Sequence, residues 1–125
     1  MHDQWESSVK RTPLLFESEA NQTHAALNAL SPDDLGKLMH LSESLSQLNW
    51  ERHQQWNKRH QNHQTMPAIL AYKGEVYRAI DAPSLTPKEL NAFQKSTFIL
   101  SGAYGLVRPL DGIAPYRLEM STKLS

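Results

Sequence analysis

Residues 68–74, Ala68-Ile69-Leu70-Ala71-Tyr72-Lys73-Gly74, decide the fold class. An uncharged apolar run closed by Lys-Gly reads as a buried β-strand and the turn that ends it. Downstream, Phe98-Ile99-Leu100 reads as a second buried strand, and Gly102 and Gly105 punctuate the stretch after it. Tyr116-Arg117-Leu118-Glu119-Met120 alternates, which puts Tyr116, Leu118 and Met120 on one strand face and Arg117 and Glu119 on the other. Between them, Ser84 to Pro87 is a loop, and Thr86-Pro87-Lys88-Glu89 has the form of a capping box. The helix it opens carries Leu90, Phe93 and Thr97 inward.

Upstream of residue 68 the period changes. Phe16, Ala20, Thr23, Leu27 and Leu30 recur at three- and four-residue steps, and Glu17 and Glu19 suit the positive end of a helix. Ser31-Pro32-Asp33-Asp34 opens a second helix, with Ser31 as N-cap and Pro32 at the first helical position. Leu35, Leu38, Met39, Leu41, Leu45 and Leu48 form its buried stripe, against a cost of roughly 1 kcal/mol for Gly36. Asn49 to Gln64 is the most polar stretch, anchored by Trp50 and Trp56; it either continues the helix or breaks it near Asn49. Residues 1–12 lack periodicity and read as a flexible arm, leaving 13–125 as a single domain. The expected class is α+β: a helical N-terminal half, then a small mixed sheet with one or more helices.

The chain has 125 residues, of which 39% are hydrophobic, enough for one core. Thirteen basic residues balance thirteen acidic ones, which argues against a strongly basic nucleic-acid footprint and against a polybasic membrane patch. With no cysteine, disulfides, thiolate metal sites and thiol peroxide chemistry are excluded. Met1 to Glu6 has no signal-peptide pattern, and no apolar run approaches the roughly 20 residues of a membrane span. A cytoplasmic protein with no membrane partner and no cofactor is expected.

Three polar constellations stand beside the core. Lys73, Glu75 and Tyr77 come just after the first apolar run, where a chain reversal gathers side chains into a cleft; the plain alternative is a surface turn with a Lys–Glu pair. Ser101-Gly102-Ala103-Tyr104-Gly105 with Arg108 offers a turn whose N–H groups can hold an anion, though it is neither a P-loop nor a nucleophile elbow, and a structural turn explains it equally. Arg117 and Glu119 either pair with each other or act on an anion and its proton. His53, His60 and His63 share one face if residues 50–63 are helical, a weak candidate metal site without an H-E-x-x-H pattern; a solvated face is the alternative.

Read together, four segments resemble the YaaA family of peroxide stress proteins. Leu38-Met39-His40-Leu41-Ser42-Glu43-Ser44-Leu45, with Asn49 and Arg52, resembles its "LM-x-h-S-x-x-L…N-x-x-R", where h is apolar. Residues 68–77 resemble "AILAFKGDVY", residues 100–111 resemble "LSGLYGxLRPLD", and residues 115–120 match "PYRLEM". Order and spacing agree from about Thr12 onward. The resemblance implies a bacterial cytoplasmic protein of the hydrogen-peroxide response, linked to limiting iron damage, with a mixed α/β fold. It also implies DNA binding through a helix-hairpin-helix element and a basic cleft. Lys73, Tyr77, Tyr104, Arg108, Arg117 and Glu119 match family positions, and with Gly102 and Gly105 they form the candidate ligand- or DNA-binding set.

Two departures bear on the expectation. The family's opening strand with "SPAKTL" is missing, and family members continue well beyond the "PYRLEM" match. A partial fold with an uncovered sheet edge predicts self-association or marginal stability. The sequence supports three functions: weak DNA binding in the peroxide response, a small-molecule or enzymatic site for a nucleotide-like anion, or a shortened paralogue with only an interaction role.

Overall fold

A computed structural model describes Met1 and residues 9–118. The chain is α+β, with three helices preceding a compact set of short strands and helices. Helix α1 spans Glu17–Asn28, α2 Pro32–Met39 and α3 Glu43–Gln61. Strand β1 (Met66–Pro67) leads directly into α4 (Ala68–Ala71), followed by α5 (Glu75–Ile80), a single 3₁₀ turn (Ala82–Ser84) and α6 (Pro87–Ser96). Strands β2 (Ile99–Ser101), β3 (Gly105–Val107) and β4 (Gly112–Ile113) complete the order.

The helix starts obey their caps. Ser31 Oγ accepts from the Asp34 N–H at 3.1 Å with Pro32 in the first turn. Thr86 and Glu89 exchange both bonds of the expected capping box. The stripe from Leu35 to Leu48, read as one helix, is instead two. His40 takes φ 56°, a left-handed cap that ends α2, and Ser42 caps α3 by accepting from the Leu45 N–H. The reversal turns Leu45 and Leu48 outward, so the buried stripe ends with Leu35 and Met39. Beyond it α3 runs unbroken through Asn49 to Gln61.

Two expected strands are not strands. Ala68–Ala71 is one helical turn, although Ala68, Ile69 and Ala71 are as buried as a strand would be. A short apolar run does not distinguish a buried strand from a buried helix turn. Pro67 starts the turn, and the N–H groups of Ala68 and Ile69 donate to the Asp111 and Pro109 carbonyls rather than to a long ladder. Tyr116, Arg117 and Leu118 also lie outside any strand. The Tyr116 N–H donates to the Met1 sulfur and the Arg117 N–H to His53 Nε2, so their donors go to side chains. Glu119 and Met120 lie outside the described residues.

Strand β1 pairs antiparallel with β4, Met66 opposite Ile113. Strands β2 and β3 form an antiparallel hairpin, Ile99 opposite Val107 and Ser101 opposite Gly105. Its three-residue connection closes on Gly105 at φ 74°, the left-handed position such loops reserve for glycine. Ile99, Ser101 and Val107 point inward, while Leu100 (65% exposed) and Leu106 (37%) share the outer face. One core joins Ala20 and Trp56 to Ile69, Leu90, Tyr104, Val107, Ile113 and Tyr116; a smaller cluster holds Leu27, Leu35 and Met39. Residues 9–12, at the end of the stretch read as an arm, are tied to this body. Thr12 bridges to Asp111, and Arg11 Nε donates to the Thr65 carbonyl.

Candidate functional site

All four tyrosines of the chain, Tyr72, Tyr77, Tyr104 and Tyr116, meet in one cluster. Each comes from a different segment: the end of α4, α5, the β2–β3 loop and the extended stretch after β4. Tyr116 and Tyr72 share a hydroxyl–hydroxyl bond of 2.7 Å, and Tyr116 and Ser101 one of 2.6 Å. Ser101 Oγ also accepts from the Tyr104 N–H at 3.0 Å, which closes the hairpin loop onto the cluster. Tyr104 Oη accepts from the Ala114 N–H at 2.9 Å and lies 2.8 Å from His60 Nε2. Tyr72 and Tyr77 stack with centroids 5.6 Å apart.

Burial dictates the proton chemistry here. The Tyr104 and Tyr72 phenols are pushed well above their ordinary range, first by desolvation, and Tyr77 is raised for the same reason. At neutral pH these groups keep their protons and act as hydrogen-bond donors. Burial lowers His60 to about 4, so its imidazole is neutral and Nε2 can accept the Tyr104 hydrogen.

The cluster opens on two adjoining hollows. A cleft of about 430 Å³ is lined by Tyr72, Lys73, Gly74, Tyr77, Arg78 and Asp81, with Ile69 and Leu70 at its floor. Gly74, at φ 137°, turns the chain from α4 into α5 between Lys73 and Tyr77, both of which line the cleft. A second pocket of about 260 Å³ is lined by Tyr72, Tyr116, Arg52 and Arg117. Tyr72 borders both. Basic side chains thus stand on two sides of a tyrosine wall, with the Asp81 carboxylate at one rim.

Of the expected site residues, Lys73, Tyr77, Tyr104 and Arg117 come into this neighbourhood, Tyr104 as a fully buried member. Gly102, Gly105 and Arg108 do not. The glycines build the hairpin loop, whose Tyr104 N–H is already bound by Ser101. Arg108 is consumed elsewhere: Nε donates to Asp111 Oδ1 at 3.0 Å and Nη2 to the Pro13 carbonyl at 2.8 Å. Glu119 lies outside the described residues.

The three histidines do not form a metal face. His53 is fully buried and accepts from the Arg117 N–H at 3.0 Å; His60 faces Tyr104; His63 is exposed beyond the end of α3 at φ 56°. Among the described residues, no group of three or more His, Asp or Glu side chains is placed to hold a metal ion. Sequence reasoning missed His24, which is buried and stacked on Trp56 at 4.3 Å. Its signal was its position between Ala20 and Leu27 on the inward face of α1. It also missed Ser101 and Tyr116 as polar partners and Arg78 as a rim cation; only the concentration of tyrosines in the motif segments pointed to them.

A family model described as peroxide stress protein YaaA matches residues 1–125. A UPF0246 protein of Acaryochloris marina is 49% identical over 98 residues, covering 78% of this chain and 39% of that protein. A UPF0246 protein of Burkholderia pseudomallei is 42% identical over 110 residues, 88% of this chain and 42% of its own length. One from Saccharophagus degradans is 41% identical over 117 residues, 94% of this chain and 46% of its own. The chain thus spans less than half the length of these curated relatives. Among the described residues, no helix is long and apolar enough to cross a membrane.

Proposed function

The chain belongs to the YaaA family of peroxide stress proteins, and from that premise we propose that it acts in the cytoplasmic peroxide response by binding DNA weakly through the tyrosine-walled cleft. One observation carries this reading: the stacked Tyr72–Tyr77 pair beside Lys73 and Arg78, with Arg52 and Arg117 across the shared Tyr72. Aromatic faces bind unpaired bases by stacking, worth about 1–3 kcal/mol per base, while neighbouring cations track the phosphates. The formal net charge is zero, so the electrostatic drive is local to this cleft and the affinity is low. A cleft rather than an open groove favours unpaired over duplex strands.

Fluorescence-anisotropy titration with single-stranded and duplex oligonucleotides at two salt concentrations tests the proposal. Tighter binding of the single strand is expected, with a salt slope of about −0.7 per phosphate contacted. Failure of both strands to bind at the lower salt removes the proposal for this chain.

A second reading has its own support, because a volume of about 430 Å³ lies in the range of small-ligand sites, roughly 300–1,000 Å³. On that reading the cleft takes a single nucleotide-like anion. Saturable one-to-one binding of a mononucleotide that competes with the oligonucleotide favours it; oligonucleotide binding that mononucleotides fail to displace favours DNA.

A further inference from the structure

A continuous file of aromatic rings crosses the molecule from a second cleft to the first. The second cleft, of about 670 Å³, lies between α1 and α3 and is lined by His24, Trp56, Asn57 and His60. From Trp56 the centroid distances are 5.5 Å to Tyr104, 5.6 Å on to Tyr116, 6.4 Å to Tyr72 and 5.6 Å to Tyr77. Every step lies at ring-packing distance. Trp56, Tyr104 and Tyr116 are buried, whereas Tyr72 and Tyr77 reach partial exposure at the cleft of about 430 Å³. Packing alone accounts for aromatic neighbours. It does not account for a buried phenol held 2.8 Å from an imidazole nitrogen.

That pair supplies the chemical step. The Ala114 N–H donates to Tyr104 Oη, and in the His60 tautomer that carries its proton on Nδ1 the phenolic hydrogen is donated to His60 Nε2. Removing an electron from a phenol makes it a strong acid, so oxidation is easy only where a base takes the proton at the same moment.

We infer that the Trp56–Tyr104–Tyr116–Tyr72–Tyr77 file carries oxidising equivalents from the α1–α3 cleft to Tyr77, with His60 as the proton acceptor for Tyr104. The substrate is a one-electron oxidant of the hydroxyl- or carbonate-radical class, species that peroxide yields at redox-active metal ions. The oxidant gains one electron by way of Trp56. Tyr104 supplies that electron, and its O–H bond breaks as the proton passes to His60 Nε2, leaving a phenoxyl radical and an imidazolium. An electron from Tyr77 then crosses Tyr72 and Tyr116 to Tyr104, while His60 returns its proton to Tyr104 and Tyr77 releases its own to water. The net change is one electron given to the oxidant, one proton released and one phenoxyl radical on Tyr77. A soluble thiol restores Tyr77 by donating a hydrogen atom and becomes a thiyl radical. This function is independent of DNA binding.

The chain has no cysteine, so an Asn57→Cys variant takes a single ruthenium polypyridyl photo-oxidant at the exposed mouth of the α1–α3 cleft. Flash oxidation in the presence of a nitroso spin trap, followed by peptide mass spectrometry, locates the radical. The trap adduct is expected on Tyr77, and Tyr77→Phe is expected to move it to Tyr72 with the fold intact. Tyr104→Phe and Tyr116→Phe, checked for folding by circular dichroism, are expected to lose the Tyr77 adduct. An adduct confined to Trp56 and its surroundings in the unaltered file overturns the inference. So does a Tyr77 adduct that persists in both phenylalanine variants, or one that fails to move in Tyr77→Phe.

Discussion

The Arg108–Asp111 corner and the tyrosine cluster are built from similar material and do opposite things with it. Both lie in segments matching family motifs, and both combine a cation, hydroxyls and tightly bonded backbone. At the corner, three donors converge on one fully buried carboxylate. Asp111 accepts from the Arg108 N–H at 2.7 Å, from Arg108 Nε and from the Thr12 hydroxyl, while Gln94 ties Thr12 to the Leu110 N–H. In the cluster, the bonded groups end at Tyr72 and Tyr77, which face open hollows beside Lys73, Arg78 and Arg117. The lesson is that a motif's charged residue is functional only if its hydrogen bonds leave it something to do. Arg108 is a fastener, and Lys73 stands at a cleft.

The sharpest way to break this contrast is at its most saturated point. Asp111→Ala strips three donors of their acceptor inside the protein and leaves the Arg108 charge unmatched. Breaking a buried pair costs about 3 to 5 kcal/mol. Because Arg108 keeps part of its side chain in solvent, the cost here is expected at the lower end of that range, enough for the variant to unfold at clearly lower urea concentration than the parent. It also frees residues 11–13 from the C-terminal strands, which proteolysis in that segment would report. An unchanged midpoint would mean that the corner is not what joins the two ends of the chain.

Acid probes the other side. His24, His53 and His60 are each lowered to about 4, chiefly by burial, and two of them hold this half together: His60 with Tyr104 and His53 with the Arg117 N–H. Well above pH 6.5 all three are neutral in both the folded and the unfolded chain and contribute no pH dependence. As pH falls from about 6.5 toward 4 the unfolded chain takes up protons first, so stability drops across that window and levels off below it. The melting temperature is expected to fall steadily between pH 6.5 and 4.5, with tyrosine fluorescence changing in the same transition. A flat profile would mean these imidazoles are hydrated.

How much of the molecule was legible in its sequence divides along the same line. Local chemistry was readable: the Ser31 and Thr86 caps, the β2 strand and the glycine-closed turn at Gly105 are each specified within a few residues. What failed was anything settled by a distant partner. Ala68–Ala71 has a composition that suits a strand or a buried turn, and the carbonyls of Pro109 and Asp111 decide it. Tyr116-Arg117-Leu118 alternates like a strand, yet Met1 and His53 take its donors. Lys73 and Tyr77 were identifiable as candidates because they follow an expected chain reversal, and Arg117 because it shared an expected strand face with Glu119. What sets Lys73 apart from Arg108 is Asp111, three residues beyond Arg108, which takes the Arg108 Nε–H. The distant part of that distinction is Pro13, 95 positions away, whose carbonyl takes a second Arg108 donor.

Within the cluster, Tyr116→Phe tests whether the hydroxyl chain is structural. It removes bonds to both Tyr72 and Ser101 at a buried site, and a penalty of about 1–3 kcal/mol is expected from the groups left unsatisfied. The loss should be smaller than for Asp111→Ala, because no buried charge is exposed by it. A cost equal to that of Asp111→Ala would erase the distinction between a polar anchor and a polar relay.

One pair of variants discriminates best, because its effects should cross. Arg108→Gln removes a charge-assisted bond to a buried carboxylate and is expected to cost about 1.5–3 kcal/mol in urea unfolding. Its affinity for single-stranded oligonucleotide should be unchanged, since Arg108 lies outside both hollows bordered by Tyr72. Lys73→Gln sits on an exposed wall and should leave stability within about 0.5 kcal/mol of the parent. It should weaken oligonucleotide binding and make the salt slope shallower by about 0.7, the share of one phosphate contact. Each substitution removes one positive charge, so a net-charge effect would move both affinities equally. Only a cleft that uses Lys73 and a corner that uses Arg108 give the crossed result, and two variants that weaken binding alike would return both residues to one diffuse basic surface.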